Sequence, residues 1–155
     1  MPDSALSAPR GIPTATALDH FGYVVPDLEQ AVAFFTQVLG FDLVALDDPV
    51  AFPDDRLARW YHVHPRASAR FAFVRYGHAT IELTEWHTPD QNTAVPSNSD
   101  LGGRHFAISV DDVDAAMAYL KAQPGVTVFD KSVWNFVYFT TPWGMTLQVV
   151  PAREP

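Results

Sequence analysis

The sequence predicts an α+β fold in which two βαβββ units in tandem form a curved, mostly antiparallel sheet around a central cavity. The first observation is an internal repeat: "HFGYVVPDLEQAVAFF", which begins at His20, aligns without a gap on "HFAISVDDVDAAMAYL", which begins at His105. The second is that strand-like segments follow each copy. A repeat of this length indicates a duplicated structural unit, and each copy is therefore interpreted as the start of one unit.

The first copy has the pattern of a strand followed by a helix. The residues from His20 to Val25 are β-branched, aromatic or small, which favours a strand. Asp27 then stands as an N-cap with Gln30 three residues on, a capping-box spacing. Apolar residues recur at helical spacing up to Leu39, and Gly40 predicts the end of the helix. The segments "FDLVAL", "RFAFVRYG" and "HATIELTEW" supply three more strands.

The second copy repeats this logic. Asp112 is the predicted cap, apolar residues from Val113 to Leu120 follow at helical spacing, and Pro124 with Gly125 marks the end of the helix. Three further strand candidates are "VTVFDK", "NFVYFTT" and "MTLQVV". Each unit is therefore predicted as βαβββ.

These patterns divide the chain into four parts that form one domain overall. We expect a flexible N-terminal leader at 1–17, the first unit at 18–86, a linker at 87–102 and the second unit at 103–151. The first unit also contains a polar and aromatic insertion at 47–69 that its twin lacks. Loops of that length inside a compact domain are usually functional or mobile.

Composition limits the classes of partner. The formal net charge of −8 argues against nucleic acid, because phosphate binding relies on a concentrated Lys and Arg surface. The sequence contains no run of apolar residues of membrane-spanning or signal-peptide length. We therefore expect a cytoplasmic protein with a small-molecule substrate and neither a nucleic acid nor a membrane partner. Because Cys is absent, metal ligands would have to come from His, Asp, Glu and side-chain amides.

The repeat places two pairs of polar residues at equivalent positions. His20 and His105 open equivalent strands, and superposing "ATIEL" on "MTLQV" matches Glu82 with Gln148. Imidazoles and a carboxylate that converge in a cavity suit a divalent metal ion. Such a ligand set does not choose among Ni, Zn, Mn, Co and Fe.

These motifs resemble the vicinal oxygen chelate superfamily, which includes glyoxalases, bleomycin resistance proteins and extradiol dioxygenases, and they are most similar to its glyoxalase-like branch. The resemblance covers nearly all of residues 18–150. It depends on "LDHFGYVVPDLEQAVAFFTQVLGF", "ATIELTEW", "GGRHFAISVDDVDAAMAYL" and "YFTTPWGMTLQVV". It implies metal ligands on the first and last strands of each unit, which here are His20, Glu82, His105 and Gln148. Many relatives carry Glu where this chain carries Gln148.

The resemblance implies a metal-dependent lyase or isomerase that chelates vicinal oxygens of a small substrate and stabilises an enediolate-type anion. A Gln amide oxygen can coordinate a hard cation, but it cannot accept a proton as a general base. Glu82 is therefore the catalytic candidate, as the one carboxylate in the set. Gln148 is interpreted either as the fourth ligand or as a hydrogen-bonding residue of the cavity wall.

Two other functions remain open on the same residues. His20, Glu82 and His105 have the composition of the two-His-one-carboxylate set of Fe(II) oxygenases, so a ring-cleaving or other oxygenase is one alternative. A protein that binds an antibiotic or metabolite without chemistry is another. His62 and His64, in the insertion, would place two imidazoles on one face of a strand and are a minor candidate for a second metal site.

The substrate pocket is predicted from aromatic and basic residues near these positions. Tyr138 lies in the strand before Gln148, Trp60 lies in the insertion, and Arg75 offers a guanidinium group for a carboxylate. The two units can complete the sheet within one chain or with a second chain. An isologous homodimer is the expected assembly.

Overall fold

The computed structural model describes residues 11–153, so residues 1–10 of the predicted leader lie outside it. The first unit contains one four-stranded sheet, with its strands in the order β1-β4-β3-β2. Its elements are β1 (Phe21–Val24), α1 (Leu28–Ala33), β2 (Asp42–Leu46), α2 (Arg56–Tyr61), β3 (Ser68–Tyr76) and β4 (Ala79–His87). β1 pairs in parallel with β4, and the other two pairings are antiparallel.

The second unit repeats this topology, with its strands in the order β5-β8-β7-β6. Its elements are β5 (Ala107–Val110), α3 (Val113–Lys121), β6 (Thr127–Val128), β7 (Val137–Thr140) and β8 (Thr146–Pro151). β5 is again parallel to β8, while the remaining pairs are antiparallel. The predicted α+β fold with two tandem βαβββ-like units is therefore confirmed, as two mixed four-stranded sheets.

Side-chain caps fix where the helices begin. Asp27 accepts a hydrogen bond of 2.7 Å from the backbone N–H of Gln30, and Asp112 accepts the equivalent bond of 2.9 Å from Ala115. Such caps satisfy backbone donors that have no partner inside the helix. After the helical segment of the first unit, Gly40 takes a φ of +77°, in the left-handed region that favours glycine.

The first helix differs from the prediction in its second half. Its α-helical part ends at Ala33 and continues as a π-helical turn, Phe34–Val38, in which Leu39 N–H donates to Phe34 O at 3.1 Å. Thr36 also donates its hydroxyl to Val32 O at 2.8 Å. The wider turn accompanies the burial of two consecutive aromatic rings, those of Phe34 and Phe35.

Two other segments differ from the sequence patterns. The strand expected from "VTVFDK" is only Thr127–Val128, after which two backbone hydrogen bonds, from Phe129 N to Tyr138 O and from Ser132 N to Phe136 O, connect the two arms. The insertion contains a short helix, α2, which the sequence analysis did not predict. α2 buries Leu57 almost completely and leaves Trp60 64% exposed.

Both units contribute to one hydrophobic core. α1 packs on β3 and β4, and α3 packs on β6 and β8. Phe106 joins the two units, because its ring lies about 6 Å from the rings of Tyr23, Phe35 and Phe41. Phe34 meets Trp143 at 5.5 Å in the same way. No helix within residues 11–153 is long and apolar enough to cross a membrane.

The core position of Phe139 allows a test of this packing. Its side chain is fully buried in β7, whereas Phe129 is 47% exposed. We expect Phe139→Ala to lower the free energy of unfolding by about 3–5 kcal/mol, from lost burial plus the cavity left behind. Phe129→Ala should change it by less than about 0.5 kcal/mol. Urea denaturation followed by circular dichroism measures both, and equal losses would contradict the assigned core.

Candidate functional site

The first unit brings His20 and Glu82 together on one face of its sheet. Glu82 lies opposite Gly22 of β1 and Phe73 of β3, and its side chain points away from the core because alternate strand residues face opposite sides. His20 stands directly before β1, with its Nε2 3.4 Å from Glu82 Oε2. Its Nδ1 lies 2.7 Å from Asp19 Oδ1, and the Phe73 ring meets the imidazole edge-on at 5.7 Å.

The second unit repeats this arrangement with different side chains. Gln148 lies opposite Ala107 of β5 and Tyr138 of β7, the positions equivalent to those around Glu82. His105 Nδ1 is 2.9 Å from Asn98 Oδ1, and its Nε2 is 3.3 Å from the Tyr138 hydroxyl. The Tyr138 ring meets the imidazole edge-on at 5.0 Å. Each unit therefore holds one half-site, made of a histidine, an aromatic ring and a Glu or Gln.

A glycine keeps the first half-site open. A Cβ atom at Gly22 would lie 3.4 Å from Glu82 Oε2, so a larger side chain there would crowd the carboxylate. The second unit has Ala107 at the equivalent position beside Gln148. The residue beside the carboxylate of the first half-site therefore has no side chain, whereas the residue beside the amide of the second carries a methyl group.

The two half-sites differ in charge. The hydrogen bond to Asp19 raises the pKa of His20, and the negative charge of Glu82 raises it further, while partial burial opposes both. In the second half-site the corresponding polar partners are Asn98 and Gln148, which are neutral. One half-site is therefore anionic and the other uncharged.

The donor set fits a divalent cation. Each imidazole has its Nδ1 engaged by an oxygen acceptor, which fixes the ring and directs Nε2 towards the site, as in metal-binding histidines. A carboxylate and an amide oxygen complete a nitrogen and oxygen set suited to hard or borderline ions. Within residues 11–153, however, no three His, Asp or Glu side chains are arranged to hold an ion by themselves. The structure brings the four candidates together only as two pairs.

The predicted pocket residues lie in different surroundings. Tyr138 contacts His105 and, with Asn98, lines a cavity of about 450 Å³. Arg75 is exposed on β3, two residues from Phe73 and therefore on the same sheet face as Glu82. Trp60 packs on Phe52 at the surface of the insertion, where its side chain is largely exposed.

A larger cavity, of about 580 Å³, lies beside the linker. Its lining includes Trp86, Arg104, Trp143 and residues 91–96, but none of the four candidate ligands. The 450 Å³ cavity beside Tyr138 is likewise lined by none of the four, so neither cavity corresponds to the predicted central cavity around the ligands.

Sequence reasoning missed the residues that hold the histidines in place. Asn98 belongs to the linker, where no periodicity marks it, and only its hydrogen bond to His105 shows its role. Asp19 is adjacent to His20 but has no acidic counterpart before His105, so the repeat did not select it. Phe73 could have been found from the repeat, because it lies opposite Glu82 as Tyr138 lies opposite Gln148.

The insertion adds an aromatic cluster to the first sheet. Tyr61 of α2 packs against Phe71 and Trp86 at ring distances of 6.0 and 5.5 Å. Phe71 is two residues from Phe73 on β3, so the cluster continues the sheet face that bears Glu82.

His62 ends α2 with a φ of 55° and does not lie in a strand. The prediction that His62 and His64 share one face of a strand is therefore wrong.

Comparison with known proteins places this chain in a family. The glyoxalase/bleomycin resistance protein/dioxygenase superfamily matches residues 17–149. The chain therefore belongs to this superfamily, and the resemblance inferred from its motifs is confirmed.

Two curated relatives are epimerases. The chain is 46% identical over 160 residues to a 2-epi-5-epi-valiolone epimerase of Actinomyces sp., a match that covers 94% of this chain and 86% of that protein. It is 30% identical over 106 residues to the mitochondrial methylmalonyl-CoA epimerase of Bos taurus, covering 67% of this chain and 52% of that protein. Among solved structures, a glyoxalase family protein from Bacillus cereus superposes with a TM-score of 0.69 at 19% identity, covering 90% of this chain and 97% of that one.

The Asn98 contact predicts one tautomer of His105. Because Asn98 Oδ1 accepts a hydrogen bond from Nδ1, the neutral ring of the metal-free protein should carry its proton on Nδ1. Asn98→Ala should give a mixture of tautomers, whereas Ser99→Ala, a neighbouring control, should not. Nitrogen-15 chemical shifts of the ring at a pH where it is neutral measure this, and an Nε2-protonated ring in the wild type would refute the assigned contact.

Proposed function

We propose that this protein is a metal-dependent epimerase that inverts one stereocentre of a small oxygenated substrate. The observation that supports it most directly is the matched pair of half-sites, in which strand register sets Glu82 beside His20 and Gln148 beside Tyr138 and His105. The 46% identity to an epimerase over nearly the whole chain favours this reaction over a lyase or an oxygenase.

The metal would be held by His20, Glu82, His105 and Gln148. Members of the superfamily bind divalent metal ions, and the nitrogen and oxygen donors present here suit Ni, Zn, Mn, Co or Fe. When bound, such an ion lowers the free energy of the anion that forms at the vicinal oxygens of the substrate.

Glu82 would move the proton. It is the one carboxylate of the proposed set, and Gly22 leaves space beside its Oε2 for a substrate. Proton removal from a carbon next to a carbonyl gives an enediolate-type anion, and its protonation from the opposite face inverts the stereocentre. Tyr138 and Arg75 lie on the sheet faces that carry the half-sites, where they would contact the substrate.

The substrate class follows from the same chemistry. The name of the Actinomyces enzyme's substrate, 2-epi-5-epi-valiolone, denotes a ketone with epimeric centres at positions 2 and 5. We propose that the substrate of this chain likewise has a hydroxyl-bearing carbon beside a ketone, because the two adjacent oxygen atoms can chelate one metal ion. 2-epi-5-epi-valiolone is the first compound to test.

A homodimer is part of the proposal. The two half-sites belong to different sheets, and residues 11–153 of one chain do not arrange them around a single ion. A second copy could supply the missing half-site. The apolar side chains of Phe21 and Val24 on β1 are each about half exposed, next to His20 and Gly22, and so offer contact surface near the first half-site.

The metal proposal predicts a metal content that depends on His105. Protein purified anaerobically, without chelator or polyhistidine tag, should contain about one divalent ion per pair of half-sites. His105→Ala should lose most of it because one nitrogen ligand is gone, while His78→Ala, in an exposed turn, should keep it. Elemental analysis measures both variants. Bound iron together with substrate-dependent O₂ uptake would instead support the oxygenase.

The epimerase proposal predicts incorporation of solvent hydrogen. In D₂O the wild type should convert 2-epi-5-epi-valiolone into its epimer with deuterium at the inverted carbon, because the proton passes through enzyme groups that exchange with solvent. Glu82→Gln should slow this by about 10²–10⁴-fold. Nuclear magnetic resonance follows both epimer and label.

A matched control is Glu29→Gln, which removes a surface carboxylate paired with Arg70 and should leave the rate unchanged. Turnover without deuterium, or a Glu82→Gln variant as fast as the wild type, would contradict the assigned role of Glu82.

A further inference from the structure

We propose that the Tyr138 hydroxyl is the second proton-transfer group of the epimerisation and acts on the face of the substrate opposite to Glu82. This inference rests on the proposed function. It assigns to Tyr138 a chemical role beyond that of lining the pocket.

The first argument is an exchange of residue types between equivalent positions. The first half-site pairs an inert ring, Phe73, with an acid, Glu82. The second pairs a phenol, Tyr138, with an amide, Gln148. Each half-site therefore contains one group that can transfer a proton to carbon, but the group lies on the last strand in one unit and on the neighbouring strand in the other.

The second argument is the requirement of the reaction. Inversion removes a proton from one face of a carbon and returns a proton to the other face. Glu82 can serve one face only, and the amide of Gln148 has no proton to transfer to carbon under ordinary conditions. Tyr138 lies directly across the strand pair from Gln148, so its side chain is a cross-strand neighbour of the position where a second carboxylate would act.

The third argument is the orientation of the hydroxyl. Because Nδ1 of His105 donates to Asn98, its Nε2 is an acceptor, and the Tyr138 O–H points to it at 3.3 Å. A metal ion on Nε2 would occupy the same lone pair, so the hydroxyl would be released to hydrogen-bond elsewhere in the site. Tyr138 also lines the 450 Å³ cavity, and its contact with His105 is exposed, so its proton can exchange with solvent.

The proton balance closes without another reactant. The Glu82 carboxylate takes the proton of the C–H bond, and the electron pair passes into the adjacent carbonyl group. The Tyr138 O–H then gives its proton to the same carbon from the other face, leaving a phenolate. Solvent takes the proton from Glu82 and returns one to Tyr138. The reverse reaction begins at the phenolate.

Tyr138→Phe tests the proposal, because the equivalent position already holds Phe73 and the fold accommodates that ring. In D₂O we expect its epimerisation of 2-epi-5-epi-valiolone to fall by about 10²-fold or more. The epimer whose hydrogen faces Glu82 should still exchange that hydrogen for deuterium with retained configuration, at a rate within about threefold of the wild type, because Glu82 can both remove and return the label. The other epimer should not exchange.

Two further variants make the result specific. Tyr138→Phe combined with Gln148→Glu moves the proton-transfer group back to β8 and should recover inversion by at least about tenfold over Tyr138→Phe. Tyr119→Phe removes a hydroxyl that donates to Val38 O and belongs to neither half-site, so this variant should behave as the wild type.

Three results would overturn the assignment. The first is a Tyr138→Phe variant that inverts the substrate at a rate within about threefold of the wild type. The second is an equal loss of inversion and of hydrogen exchange for both epimers, at normal metal content. The third is a double variant that inverts the substrate no faster than Tyr138→Phe. A wild type that neither inverts nor exchanges the compound would overturn the proposed function itself, and the role of Tyr138 with it. These failures are therefore distinguishable.

Discussion

The parallel pairing of the first and last strand in each unit is the constraint on which the candidate site depends. In the first unit, β1 lies beside β4 in a register that sets Gly22 opposite Glu82, and His20, two residues earlier, reaches the same carboxylate. The equivalent pairing of β5 with β8 sets Ala107 opposite Gln148. A shift of either register by one residue would turn Glu82 or Gln148 into the core and move Leu83 or Leu147 outward, which the burial of those side chains opposes. The hydrophobic core therefore fixes the position of the polar residues.

The repeated pattern allowed much of this to be predicted. The order of the elements, both helix caps and the equivalence of Glu82 with Gln148 follow from strand alternation and helical spacing, because these are local properties of the chain. The prediction of one continuous α-helix was wrong, because its second half is a π-helical turn. This turn accompanies the burial of Phe34 and Phe35 against distant rings such as Trp143 and Phe106, which local spacing does not show. Asn98 could not be predicted, because its contact with His105 joins the linker to a strand and leaves no pattern in the sequence.

The two units share one strand order but carry unequal chemistry. Asp19 and Glu82 surround His20 with negative charge, whereas Asn98, Tyr138 and Gln148 surround His105 with neutral dipoles. In the proposed metal complex, Glu82 would be the one carboxylate ligand, so a divalent ion would keep a net positive charge that favours a substrate becoming anionic during the reaction. A second carboxylate ligand would cancel that charge. In this proposal, an amide at position 148 would therefore strengthen the electrostatic stabilisation of an anion, while leaving the second unit without a carboxylate base.

Aromatic rings define one side of each half-site. On the second sheet, Phe136 stands between Trp134 and Tyr138, with ring distances of 6.1 and 5.6 Å, and on the first sheet the Phe73 ring meets His20 edge-on. Both imidazoles remain exposed to solvent on their other side. Solvent can therefore restore the protons of Glu82 and Tyr138 between turnovers, as the proposed epimerisation requires. The positions of the hydroxyl and the carboxylate, and not the exclusion of water, would then determine which face of a carbon reacts.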